Sequence, residues 1–430
     1  MVNVFLSSWP LFFGILLLMV GNGLQGSLMG VRGGAAGFSP FVMSVVISAY
    51  FLGFMIASRI TPELIRRVGH VRVFAALGSL ISGALIVFPI IEHPSVWIAM
   101  RVLLGFAFCG VYVTSESWIN NAASNDTRGQ SMSLYMITQM VGIIAAQALL
   151  VVPDPSGFLL FIIPSVLVSI SFAPILLAIS PTPAFESTKP MNILKLFHTS
   201  PLGFVGMSLM GAVFALQFGM SAVFATVAGL TLQQTSIFVA AFYVGALICQ
   251  YPLGWLSDRM DRRVLIAAVA CAGGVAGLAG LVLSDSFVVL VGVAAVIGGS
   301  ANPLYSLLIA YVNDFLDVED MASASAGLMF VNGVGAVVGP IVTGWLMGVL
   351  GARGYFVPIA VPMLALTGYA LWRMTRRPAP SVDETGAYTY FAPTGTVVAM
   401  EYAQEAAIEA AEAETDAESL ASEREPDTAA

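Results

Sequence analysis

Apolar residues in this chain come in long unbroken runs and do not alternate with polar ones. The stretch "RVFAALGSLISGALIVFPII", residues 72–91, is typical. A strand of a membrane barrel would alternate over about ten positions, whereas a run of about 20 apolar residues crosses a hydrocarbon core of about 30 Å as a helix. Twelve such runs can be marked, near residues 8–30, 39–58, 72–92, 95–120, 130–152 and 157–179, then 203–228, 235–256, 264–284, 287–312, 322–349 and 354–374. The longest polar stretch before the C-terminal tail, "SPTPAFESTKPMNILKLFHTSP" at 180–201, separates six runs from six. The pattern predicts an all-α integral membrane protein with twelve transmembrane helices in two bundles of six. Residues 1–179 form the N-terminal half, 180–202 a cytoplasmic linker, 203–377 the C-terminal half and 378–430 a tail.

Composition agrees, because 58% of the 430 residues are hydrophobic and 10% charged, which a water-soluble globule would not show. Charge placement then orients the chain. Lys and Arg gather in cytoplasmic loops; with both termini inside, 14 of the 17 fall on that side, Arg32 and Arg353 lie in outer loops, and Arg101 lies within a span. The first run lacks a basic leader region and reads as the first span, not as a cleaved signal.

The halves repeat one another. A shift of 192 residues lays "AYFLG" at Ala49–Gly53 over "AFYVG" at Ala241–Gly245, "PELIRRVGHV" from Pro62 over "GWLSDRMDRR" from Gly254, and Leu24–Gln25 over Leu216–Gln217. At 193, "VGIIAAQ" from Val141 lies over "VGAVVGP" from Val334. These matches at nearly one offset indicate parallel repeats.

Twelve spans in repeated halves, with the loop pattern Gly254-x-Leu256-x-Asp258-Arg259-x-x-Arg262-Arg263 after the eighth, resemble the major facilitator superfamily of secondary transporters. "RVLLG" at Arg101–Gly105 resembles that superfamily's R-x-x-x-G in span 4, and "SESWINNAASNDTRGQSMSLYMITQMVGIIAAQ" resembles the YcaD-like branch of bacterial permeases. The first loop copy is degenerate: Arg67 and Gly69 remain, but Pro62 and Arg66 replace the Gly and the acid. The resemblance implies a two-bundle fold in a bacterial cytoplasmic (inner) membrane. It also implies transport by alternating access and a gating role for Gly254, Asp258, Arg259, Arg262, Arg263, Arg67 and Gly69. Asp258 would pair with nearby Arg and face the start of span 5 when the inner side closes.

The resemblance further implies a central cavity lined by spans 1, 4, 7 and 10. Asn22, Gln25, Gln217, Asn302 and Tyr305, with Tyr112 on span 4, are therefore the candidates for substrate contact, the two glutamines at equivalent depth in the two halves. Each could instead tie helix to helix. An ionisable group inside a span costs at least about 2.5–3.5 kcal/mol and needs a reason: for Arg101 the resemblance implies a role in proton coupling or substrate binding, and Glu116 is the candidate for carrying the proton. They lie fifteen residues apart on one helix, about 22 Å, too far to pair. A structural Arg bound to carbonyls and an interfacial Glu bound to a cytoplasmic Arg are the competing readings.

Other chemistries find no support. His70, His93 and His198 sit in loops or at span edges without metal-ligand spacing, and Cys109, Cys249 and Cys271 are scattered through apolar spans. No Gly-rich phosphate loop with a Lys appears, and no nucleophile–base pair lies in the bilayer, so neither an ATP-driven pump nor an intramembrane enzyme is expected. The Gly-Pro of drug antiporters' span 5 is replaced by Ala146–Gln147, while Gly339–Pro340 occurs in span 11. No cofactor or nucleic acid is expected; the partners are a small molecule, protons and the lipid bilayer, with the protein a monomer. Beyond Arg377 the chain carries 12 acids and one Arg, a net of −11 against −8 for the whole, leaving the body at +3. This composition predicts a disordered tail. A receptor or scaffold that signals through the tail is the alternative to a carrier.

Overall fold

The computed structural model describes residues 2–122, 128–152, 157–177, 191–316 and 318–376, with Tyr388, Thr396 and Val398 beyond them. The N-terminal half comprises α1 (Val2–Ala35), α2 (Pro40–Val68), α3 (His70–Ile90), α4 (Pro94–Ala122), α5 (Arg128–Leu150) and α6 (Leu159–Leu177). A short α7 (Ile193–Thr199) follows within the stretch expected to be linker, and its flank is tied down: Met191 donates its N–H to Ser323 and Lys195 pairs with Asp320 at 2.8 Å. The C-terminal half comprises α8 (Pro201–Ala215), α9 (Ser221–Val227), α10 (Leu232–Ser257), α11 (Arg262–Leu283), α12 (Phe287–Asn313), α13 (Val318–Leu350) and α14 (Val357–Met374).

Local chemistry sets several of these boundaries. Ser39 caps α2 ahead of Pro40, accepting the Val42 N–H at 3.3 Å, and Thr231 with Gln234 closes a reciprocal capping box on α10. Among the described residues, 11 helices are long and apolar enough to cross a membrane, with α8, the turn after it and α9 counted as one span. The sixth of the twelve expected, α6, has 19 residues, giving about 28 Å of helix.

The helix pairings of one half recur in the other. In the N-terminal half α1 packs on α5 and α6, α2 on α4, and α3 on α4 and α6; in the C-terminal half α8 packs on α13 and α14, α10 on α12, and α11 on α12 and α14. The repeat reaches single atoms. A Cβ on Gly53 would lie 2.0 Å from the Val102 carbonyl oxygen, and one on Gly245 would lie 2.0 Å from that of Ala295. Gly105 would meet the Tyr50 carbonyl at 1.8 Å, and Gly298 that of Phe242 at 1.9 Å. Glycine at both faces of each crossing lets α2 lie on α4, and α10 on α12, backbone to backbone.

The halves meet along α2 and α13, α5 and α10, and α1 and α9. At the end opposite the 254–263 loop they are packed shut. A Cβ on Gly30 would strike Ala222 at 2.7 Å, Gly344 lies against Ser44, and Ser236 donates to the Gln147 carbonyl at 2.5 Å. The loop-bearing end, with Arg259, Arg262 and Arg263, is the basic end of the molecule. At the opposite end Arg32 pairs with Glu92 at 2.5 Å and Arg353 with Asp285 at 2.9 Å, so both outlying cations have local acids.

Candidate functional site

Two polar clusters lie buried within the apolar halves. In the first, α1 contributes Asn22 and Gln25 on one face, three residues apart, and α4 contributes Arg101 and Tyr112. Arg101 donates through Nη1 to Gln25 Oε1, Gln25 donates to Asn22 Oδ1 at 2.8 Å, and Asn22 donates to the Tyr112 hydroxyl at 2.5 Å. Tyr50 of α2 completes the group: its hydroxyl reaches Asn22 at 3.4 Å and its ring lies 4.7 Å from the Arg101 guanidinium carbon. Arg101 is 0% exposed.

In the second cluster Asn302 of α12 donates to Gln217 Oε1 at 3.2 Å and to its own helix at the Gly298 carbonyl. Tyr305 is buried one turn further along α12. Gln217 belongs to a π-helical turn, Leu216–Met220, where the Ser221 N–H reaches back five residues to Leu216. The seventh span is therefore not the continuous α-helix that its apolar run suggests. Gln25 and Gln217 are each held within their own half, although their neighbours Gly26 and Phe218 pack across the boundary.

Glu116 lies on α4 toward the basic end and is 2% exposed. Its carboxylate accepts from the Tyr135 hydroxyl of α5 at 2.7 Å, from the Thr396 N–H at 3.3 Å, and from the Thr396 hydroxyl. Thr396 is itself buried, as is Val398. Tyr388, also in the tail, donates its N–H to Asp258 at 2.7 Å and accepts at its hydroxyl from Gln250 at 2.5 Å. Each of these three tail residues has a packed position; the rest of the tail, which the composition predicts to be disordered, lies outside the described residues.

The 254–263 loop is tied mainly to its own half. Arg262 is buried, pairs with Asp314 at the end of α12, bonds Ser257 at 3.1 Å, and lies 3.5 Å from Asp258. Arg263 pairs with Asp261 at 2.8 Å, and Arg259 stacks 4.3 Å over Trp255. Burial pushes the Asp261 carboxyl up, but its bonds to the Arg263 side chain and N–H outweigh that and hold it below the ordinary aspartate value. Gly254 lies before the turn out of the helix, not in it. It sits inside α10 and leaves room for the Tyr388 ring, which a Cβ would approach at 2.7 Å. In the first copy the turn does use a glycine, Gly69 at φ 84°, while Arg67 and Arg66 both pair with Glu63 on the surface.

The sequence model of the Major Facilitator Superfamily matches this chain twice, over residues 11–240 and 202–401. The chain belongs to that superfamily. It is an integral membrane transporter. The uncharacterized MFS-type transporter YfkF of Bacillus subtilis is 23% identical over 377 residues, covering 83% of this chain and 94% of its own length. An MFS-type transporter YcaD of Salmonella typhimurium is 22% identical over 358 residues, covering 81% and 91%. Among solved structures, the nucleoside transporter NupG superposes with TM-score 0.66 at 15% identity, covering 87% of this chain and 98% of its own. A bacterial homolog of the human lysosomal transporter Spinster, in an inward-facing and unoccupied conformation, gives TM-score 0.64 at 12% identity, covering 94% and 97%. These likenesses establish the major facilitator fold.

Within this fold, the structure assembles Asn22, Gln25, Arg101 and Tyr112 in one cluster and Gln217 with Asn302 in another, and it leaves Glu116 apart from both. Three partners escape a reading of the sequence. Tyr50 and Tyr135 look like packing aromatics until Arg101 and Glu116 are found against them, and Asp314 reads as a loop acid, not as the counter-charge of Arg262. The repeat did carry one signal, since Tyr50 belongs to "AYFLG".

Proposed function

We propose that this protein is a secondary transporter that moves a small molecule across a bacterial inner membrane by alternating access, driven by protons, with both termini in the cytoplasm. One observation carries the reading most directly: the halves are sealed against each other at the end opposite the basic loops, with polar clusters buried beneath the seal. A carrier closed on that side has this arrangement. Rocking the halves apart at that seal would reach the clusters from the other side. Glu116, toward the basic end and bonded to the Tyr135 hydroxyl, is the acid assigned to the proton.

The test is proton movement in proteoliposomes, wild type against Glu116→Gln, over a panel of sugars, carboxylates, amino acids and cationic dyes. The expected result is solute-dependent proton flux that the variant loses while it still binds the solute. Solute movement without proton flux in the wild type, or full coupling in the variant, would remove Glu116 from the mechanism.

The contacts of Tyr388 with Asp258 and of Thr396 with Glu116 favour keeping a second reading, in which the acidic tail reports occupancy as part of a receptor or scaffold. Deleting residues 380–430 separates the two: a carrier still moves solute, whereas a receptor loses its output.

A further inference from the structure

The hydrogen-bonding state of the two clusters bears on what is carried. Within them the buried polar atoms left without a partner are Arg101 Nε and Nη2 and Gln217 Nε2, and all are donors. Arg101 is fully buried, and among the described residues its contacts are Gln25 and the Tyr50 ring, which carry no negative charge. A guanidinium in apolar surroundings without a counter-charge is strongly disfavoured, and a guanidinium with an open N–H edge matches a carboxylate or related anion. The missing charge is one that a ligand can bring.

Two further observations point to the same place. Gln217 sits on a π-helical turn, a distortion that recurs at functional sites because it re-aims side chains. Gly26, next to Gln25, packs on Phe218, next to Gln217, so the two clusters adjoin across the boundary between the halves. Beside them, between α2, α8 and α13, opens a small cleft lined by Tyr50, Phe51, Phe54, Phe214, Phe218 and Met329. Tyr50 lines the cleft and also carries Arg101 over its ring, while its own ring packs 5.6 Å from that of Phe218. An aromatic wall thus stands between an apolar cleft and an unpaired cation.

We propose that the transported solute is an organic anion with an apolar body. Its anionic group binds the open edge of Arg101 with Gln217 as a second donor, and its hydrocarbon part lies in the aromatic cleft. Tyr50 and Phe218 shift to join the two. This rests on the transporter reading above and deepens it by naming the solute class.

The test uses matched probes on full-length protein. Aryl-alkyl and alkyl carboxylates, sulfonates and phosphonates are each compared with the neutral amide and the primary amine on the same carbon skeleton, first by thermal stabilisation in detergent and then by uptake into proteoliposomes. Anions are expected to stabilise the wild type, with their amides and amines at least tenfold weaker. Arg101→Gln should weaken anion binding by about 10- to 100-fold, Arg101→Lys should lose less, and Gln217→Ala should weaken binding several-fold. Equal or stronger binding of the amines or amides, no response to any anion, or undiminished anion binding by Arg101→Gln would overturn the proposal. The wild-type series decides the matter even if Arg101→Gln fails to fold. Uptake of amines or neutral solutes with no anion response would sink the anion site and leave the transporter standing, whereas anion binding without any uptake would do the reverse.

Discussion

Arg262 illustrates how much a single side chain in the basic loop holds. It is 3% exposed, pairs with an Asp314 side chain of equal burial, and bonds Ser257 at the end of α10. Removing one partner of a buried ion pair strands the other charge, at a cost of about 3–5 kcal/mol. Arg262→Ala is therefore expected to lower the thermal unfolding temperature in detergent clearly, with Arg262→Lys intermediate; an unchanged melt would mean that Asp314 finds another partner. Asp261 gives a prediction in pH. Its carboxyl is held below the ordinary value of 3.8, so its bond to Arg263 contributes stability that is fully present above pH 3.8 and lost as pH falls through the lower folded value. Melting curves from pH 6 to pH 3 should lose stability at the acid end, and Asp261→Asn should flatten that part of the loss; an identical profile would contradict it. At this scale the sequence was informative about ionisable residues and poor about their partners. Arg101 and Glu116 stand out because charge inside a span is costly, whereas a Tyr such as Tyr50 or Tyr135 sits in a span at little cost and announces nothing.

The elements repeat because their contacts repeat. Gly53 and Gly105 at the α2–α4 crossing, and Gly245 and Gly298 at the α10–α12 crossing, each leave a carbonyl where a Cβ would go. Backbone cannot turn aside as a flexible side chain can, so Gly53→Leu and Gly245→Leu should each separate a helix pair and cost about 1–3 kcal/mol or more. Size-exclusion profiles of the tagged variants should show loss of the folded peak for both; two normal profiles would mean that the crossings are looser than described. The apolar runs and the "AYFLG"/"AFYVG" match made the helix count and the internal repeat legible. The π-turn at Leu216–Met220 was not, because in a helix apolar on every side a period of 4.4 residues leaves no mark that distinguishes it from 3.6.

For the whole molecule, the contacts of Tyr388 with Asp258 and Gln250, and of Thr396 with Glu116, bring tail residues from beyond α14 to α10 and α4, one helix from each half. A chain ending at residue 379 lacks these contacts, and in inside-out vesicles Gln250→Cys should then react faster with an impermeant maleimide, with Cys109, Cys249 and Cys271 replaced. Equal rates would show that the contacts do not shield this surface. The tail's composition spoke for disorder because its acids repel, yet composition is silent on the hydroxyl of Tyr388 and the backbone N–H of Thr396, which do the bonding. Under the proposed alternating access, the seal between the halves at the end opposite the basic loops opens and closes. The direct measurement is the distance between spin labels on Ala35→Cys and Ala228→Cys, exposed positions of the two halves at that end, by double electron–electron resonance in lipid across pH and with bound solute. The expected result is a short-distance population matching this structure and a second, longer one whose share changes with pH or solute; a single unchanging short distance under all conditions would rule out opening at this seal.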